Sequence, residues 1–157
     1  MQHVITCLAY NNQAEEAVTL YTSVVKDSKI VSMVRNGDSG PGPKGSLLAA
    51  TFLLDGQEFM AINGGPPFTF TMGMSIVKKC ETQAEIDDLW ERLSEGGQKI
   101  ECGWLTDRFG VSWQIIPAAL GQWMSDPNPA KPQAVMKALM QMQKLDIATL
   151  QQAYERA

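Results

Sequence analysis

Apolar and polar positions along this chain switch between two periods, and each switch marks where an element begins or ends. Residues 3–10, HVITCLAY, are mostly apolar and rich in β-formers, which predicts a strand. In the segment that follows, NNQAEEAVTLYTSVV, Ala14, Ala17, Val18, Tyr21 and Val25 recur on one helical face. Asn12, with Glu15 three residues on, reads as the cap of that helix. KIVSMVR returns to a strand pattern, and NGDSGPGPKG sustains neither period, so it is a predicted loop. SLLAATFLLDGQEFMAIN divides at Asp55–Gly56, a hairpin dipeptide between two apolar runs. The first part of the chain therefore reads strand, helix, three strands.

The same order then begins again. FTFTMGMSIVKKC predicts a strand. TQAEIDDLWERLSEGG predicts a helix with a Thr82–Glu85 capping box, an apolar stripe of Ile86, Leu89, Trp90 and Leu93, and a stop at Gly96–Gly97. QKIECGWL and VSWQIIP supply further strands. One such unit cannot bury both faces of its own sheet. The expected fold is therefore α+β, with paired βαβββ modules forming one larger curved sheet, helices outside and a concave cavity inside. Residues 1–125 form that domain in this reading, with halves at about 1–66 and 67–125.

From SDPNPAKP onward the pattern changes, because three prolines interrupt it. QAVMKALMQMQKL then sets Val135, Ala138, Leu139 and Met142 on one face, and DIATLQQAYERA restarts with Asp146 as a cap. Residues 126–157 thus read as a helical hairpin that packs on the domain or on a second subunit. The chain has nine methionines, and Met136, Met140 and Met142 fall in this tail, where core or dimer contact is the ordinary role of methionine.

Composition narrows the function. A net charge of -4 and a pI near 5.0 give no basic footprint for nucleic acid. No apolar run reaches the length of a membrane span. MQHVITCLAY lacks the basic and apolar regions of a secretory leader, so the cytoplasm is the expected location. Cys7, Cys80 and Cys102 are too few and too scattered for a disulfide framework or a zinc cluster.

Four stretches, NNQAEEAVTLY, FMAINGGPPF, CGWLTDRFGVSWQIIP and KALMQMQKLDIATLQQAY, together resemble the PhnB-like group of the vicinal oxygen chelate (glyoxalase/bleomycin resistance) superfamily, often labelled demethylubiquinone methyltransferase-like. The resemblance spans nearly the whole chain. It implies the paired βαβββ fold and a homodimer, but no particular reaction, because that superfamily includes isomerases, dioxygenases, resistance proteins and plain binders. Its metalloenzymes place ligands, usually His or Glu, on four strands. Carried onto this chain, those positions fall at Thr6, near Met60, at Met74 or Ser75, and at Gln114, none of them His, Asp, Glu or Cys. Divalent transition metals need imidazole, thiolate or carboxylate donors. His3, the single histidine, is out of register with these positions. The expectation is a pocket with neither metal nor cofactor.

The pocket candidates are Thr6, Met60, Asn63, Ser75, Cys102, Trp104, Trp113 and Gln114. Gln114 offers both donor and acceptor, but strand alternation lets only one of Trp113 and Gln114 look inward. Asn63, ahead of Gly64–Gly65–Pro66, stands at a pocket mouth or simply in a turn that needs glycine. Cys102 is a nucleophile only if a partner lowers its pKa. Asp107 is expected to cap its own backbone. Trp104, Trp113, Phe59 and Phe68 line a cavity or fill the core. The reading is a metal-free small-molecule-binding protein with an unknown ligand. Its alternatives are an enzyme using Cys102, Asp107 or Gln114, a methyltransferase, and a protein that acts through its tail surface.

Overall fold

The computed structural model describes residues 3–157, in two compact units, Met1–Thr69 and Phe70–Ala157. Both are α+β. In the first unit the order is β1 (Thr6–Tyr10), α1 (Ala14–Val24), β2 (Lys29–Arg35), β3 (Leu47–Leu54) and β4 (Gln57–Asn63). The sheet runs β1-β4-β3-β2, with β1 and β4 parallel and the other pairs antiparallel. The β3–β4 hairpin turns on Asp55 and Gly56, both at positive φ (50° and 80°), the backbone its dipeptide favours. One sheet face carries Leu8, Tyr10, Phe52 and Ala61, buried together with Ala17, Val18 and Tyr21 of α1, and the Tyr10 hydroxyl donates to that of Tyr21 at 3.1 Å.

The cap of α1 differs from the sequence reading. Asn12 does not serve; the Ala14 N–H donates instead to Asn63 Oδ1 at 2.9 Å, from the end of β4. The Asn63 amide also donates to the Leu47 carbonyl at 3.1 Å, so one side chain ties helix, β3 and β4 together.

The second unit repeats the topology. It comprises β5 (Ser75–Cys80), α2 (Gln83–Ser94), β6 (Gln98–Lys99), β7 (Trp104–Thr106) and β8 (Ser112–Pro117), ordered β5-β8-β7-β6 with β5 and β8 parallel. The stripe of Ile86, Leu89, Trp90 and Leu93 is buried, as the 3.6-residue period requires. Thr82 accepts from the Glu85 N–H at 3.2 Å, while the Glu85 carboxylate reaches back to the Glu81 N–H. Two strands are shorter than expected. Residues 68–74 form no strand, and QKIECGWL breaks after Lys99 into a 3-10 turn at Glu101–Gly103, where Cys102 and Gly103 take φ of 62° and 81°.

The tail belongs to this second unit. It forms α3 (Leu120–Met124), α4 (Ala130–Leu139) and α5 (Ile147–Arg156). The prolines do not exclude a helix: Pro129 sits at the cap of α4 and Pro132 in its first turn, where a missing N–H costs nothing. Met142 lies past the end of α4, not on its face. Val135, Leu139, Leu145 and Leu150 bury with Trp123 into a cluster against which Cys102 and Ile116 pack. Asp146 caps α5 by accepting from the Thr149 N–H at 2.8 Å. The Tyr154 hydroxyl donates to Asp126 at 2.6 Å and holds that carboxyl below its usual range. Among the described residues no helix is long and apolar enough to cross a membrane.

Candidate functional site

Strand register decides which candidate residues share a face. In the second unit Leu105, Trp113 and Ile76 are cross-strand partners on the packed face, where Leu105 and Trp113 are buried. The Trp113 indole N–H donates to Asp107 Oδ2 at 3.0 Å. Trp113 is thus core, which corrects its place among the pocket candidates. The other face follows from the alternation: Trp104, Gln114 and Val77 form one cross-strand row, and Thr106, Ser112 and Ser75 form the next. Gln114 Nε2 donates to Ser75 Oγ at 2.9 Å. Ser112 is 1% exposed, and its hydroxyl has no partner among the described residues. Ser75, Trp104 and Gln114 therefore come together on a face of hydroxyl, amide and indole groups.

Cys102 does not join them. Its left-handed backbone turns it into the tail cluster, with its N–H donating to the Met142 carbonyl at 2.8 Å and that of Gly103 to Gln143 at 2.8 Å. Asp107, 2% exposed, is the self-capping carboxylate of the β7–β8 turn, accepting from the N–H groups of Phe109 and Val111.

In the first unit the candidates separate as well. Thr6 pairs with Phe59 and shares the packed face with Leu8 and Tyr10, whereas Met60 pairs with Cys7 on the opposite face. The assignment of Thr6 and Met60 to one site is thereby corrected by one residue, and Cys7 is the residue the sequence reading missed. Once the structure shows Tyr10 facing α1, counting back by twos puts Thr6 on that side. Asn63 likewise turns toward α1. The Met60 face is mostly apolar, with Cys7, Ala9, Ala49, Leu53 and Ile62. Phe59 is buried and stacks on Phe52 at 5.6 Å, while Phe68 lies outside both sheets.

Those surroundings set the chemistry of Cys7. Burial of part of its surface pushes the thiol pKa up, the opposite of what a nucleophile needs. Iodoacetamide labelling of Cys7 followed against pH by mass spectrometry should show a midpoint above that of free cysteine. A midpoint below it would return Cys7 to the list of activated thiols.

The donor set does not fit a divalent metal of the kind the superfamily resemblance implies. Ser75 and Gln114 supply only a hydroxyl and a carboxamide, and they are already engaged with each other. Among the described residues, no three His, Cys, Asp or Glu side chains converge on one point.

Comparison with known proteins agrees with this architecture. No curated protein matches the chain. The PhnB protein from Bacillus cereus, named for 3-demethylubiquinone-9 3-methyltransferase, is 41% identical over 73% of this chain and 99% of its own, with a TM-score of 0.69. A protein from Pseudomonas aeruginosa is 25% identical over 74% of this chain and 98% of its own, with a TM-score of 0.62. The fosfomycin resistance protein FosX from Listeria monocytogenes shares the fold, with a TM-score of 0.57 at 13% identity over 80% of this chain and 98% of its own. The family model described as 3-demethylubiquinone-9 3-methyltransferase matches residues 2–116, a span that takes in β1 and stops one residue short of the end of β8. The chain belongs to that family, the PhnB-like group of the vicinal oxygen chelate superfamily.

Proposed function

We propose that the chain binds a small molecule, without a divalent metal, against the face of the second sheet that carries Ser75, Trp104 and Gln114. The observation that supports this most directly is the 2.9 Å hydrogen bond from Gln114 to Ser75. Both residues stand where the superfamily resemblance puts metal ligands, and both are neutral. Gln114 keeps a second N–H and a carbonyl oxygen to offer, and the unpartnered Ser112 hydroxyl lies in the adjacent row. Trp104 and Val77 add apolar surface beside the amide. A ligand suited to this face is uncharged, with a donor and an acceptor on one edge and a flat apolar body. The protein works as a homodimer in the cytoplasm in this reading, with neither nucleic acid nor membrane as partner.

The family description supports a second reading, methyl transfer to a quinone-like acceptor. A methyl donor is usually held by a glycine-rich turn after the first strand of a parallel sheet. Here Asn11, Asn12 and Gln13 follow β1, with no glycine. Saturable binding of S-adenosylmethionine in calorimetry would favour methyl transfer over simple binding.

The decisive measurement is metal content of untagged protein after dialysis against manganese, nickel and zinc, with thermal unfolding in each. No retained metal and an unchanged Tm, with or without chelator, are expected. Stoichiometric metal with a raised Tm would overturn the proposal, because a ligand that binds only the folded state must stabilise it.

A further inference from the structure

The first unit contains a cavity of about 560 Å³ built from three loops: the β1–α1 turn, the long β2–β3 loop and the exit of β4. Its polar lining is neutral throughout. Asn11, Asn12, Asn36 and Asn63 contribute carboxamides and Ser46 a hydroxyl, while Pro41, Pro43 and Leu47 supply apolar surface. Not one charged or aromatic side chain is among the lining residues.

The wall is organised before any ligand arrives. Asn36, 7% exposed, donates through Nδ2 to Ser46 Oγ at 2.9 Å, and its backbone exchanges hydrogen bonds with the loop: Asn36 N–H to the Ser46 carbonyl and Gly45 N–H to the Asn36 carbonyl, both at 2.8 Å. Gly40 and Gly42 close against the same carboxamide, where an added Cβ would come within 2.5 Å of Oδ1 and 2.9 Å of Nδ2. The glycine- and proline-rich sequence NGDSGPGPKG is thus a fitted wall. Asn63 is engaged in tying α1 to β3, through its oxygen and one N–H. Asn11 and Asn12 are different: both are exposed, and neither side chain makes a hydrogen bond among the described residues. Asn36 Oδ1 is a buried acceptor with no hydrogen-bond partner among the described residues.

We infer that this cavity is a binding site for an uncharged, polyhydroxylated small molecule. The choice follows from what the lining lacks and what it leaves free. With no cationic side chain in the lining and the first N–H of α1 already given to Asn63, a carboxylate or phosphate finds no counter-charge there to offset its desolvation. No aromatic side chain lines the cavity, and the nearby Phe68 ring is packed on Gly64, so a nucleobase or quinone has no stacking partner among the lining residues. A carboxamide presents a donor and an acceptor side by side, and neighbouring hydroxyls, each both donor and acceptor, match that pair. Prolines and Leu47 then cover the C–H surface of the same ligand, and Gly65, where an added Cβ would meet only Pro67 at 3.8 Å, lets it approach the backbone. The inference stands apart from the proposed site on the second sheet, since each residue it uses lies in the first unit.

The test is a titration of ¹⁵N-labelled protein with D-glucose, D-ribose and glycerol, using sodium acetate and inorganic phosphate as charged controls. Saturable shifts confined to the Asn11 and Asn12 side-chain amides and the Gly64 and Gly65 backbone amides are expected with at least one neutral probe. The double variant Asn11→Ala, Asn12→Ala should weaken that probe about tenfold or more, with Tm unchanged. Equal shifts with acetate or phosphate would overturn the inference, as would no saturable shift with all three neutral probes. So would an affinity that the double variant leaves intact.

Discussion

Asp107→Ala is expected to destabilise the second unit by roughly 3–5 kcal/mol, the largest effect of any single polar deletion in the chain. The carboxylate is 2% exposed and accepts three hydrogen bonds: from the N–H groups of Phe109 at 2.9 Å and Val111 at 3.0 Å, and from the Trp113 indole at 3.0 Å. Alanine removes the acceptor but leaves the donors inside, and each stranded donor costs about 1–3 kcal/mol before relaxation. Asp107→Asn keeps the shape but turns an N–H toward one of those donors, so it should fall between wild type and alanine. Urea unfolding followed by tryptophan fluorescence reads both changes. A loss under about 1 kcal/mol for the alanine variant would mean that water reaches all three donors. The consequence reaches the candidate site, because this turn sets the register of β7 on β8 and hence Trp104 against Gln114.

Register is also where sequence alone ran out. Signals contained within a few residues read correctly: Asp55–Gly56 as a hairpin, Thr82 and Asp146 as caps, the α2 stripe as core. Each depends on backbone chemistry that neighbouring side chains supply. The misreadings at the caps and at the candidate site involve partners distant in sequence. Asn12 looked like a cap because nothing local shows that Asn63, 49 residues past Ala14, already holds the first N–H of α1. Cys102 looked like a strand residue because QKIECGWL has strand composition, yet the tail carbonyls of Met142 and Gln143 hold it in a left-handed turn. At the site, alternation offered two answers for Trp113 and Gln114. Tertiary structure chose between them by giving the Trp113 indole to Asp107. The same parity argument moved the first-strand position from Thr6 to Cys7. The donor inventory at Ser75 and Gln114 was legible throughout, because it needs residue identity and not geometry.

The tail provides the second large prediction. Leu145 is fully buried, and Leu145→Ala should cost about 2–5 kcal/mol, the range for deleting a buried leucine side chain. Its position gives the loss a structural meaning. The segment around it makes the two backbone hydrogen bonds to Cys102 and Gly103, and Gln83 of α2 brackets it by donating to the Leu145 carbonyl at 3.0 Å and accepting from the Ile147 N–H at 2.8 Å. Gly103 is shaped to this contact: at φ 81° a Cβ there would meet Leu145 at 3.0 Å and the Ile115 carbonyl oxygen at 2.9 Å. The tail side of these contacts, Met142, Gln143, Leu145 and Ile147, lies beyond residue 116, where the family match ends. The tail therefore braces the turn that feeds β7 and, with it, Trp104. In Leu145→Ala, Cys102 should react faster with a thiol reagent than in wild type, while Cys80, buried at the end of β5, should not change. Faster labelling of Cys102 alone would show that the brace opens locally. Faster labelling of both would mean that tail and sheet unfold together. A stability loss with no change at Cys102 would leave the turn holding its own conformation, and the tail would then be packing on the second unit without shaping its site.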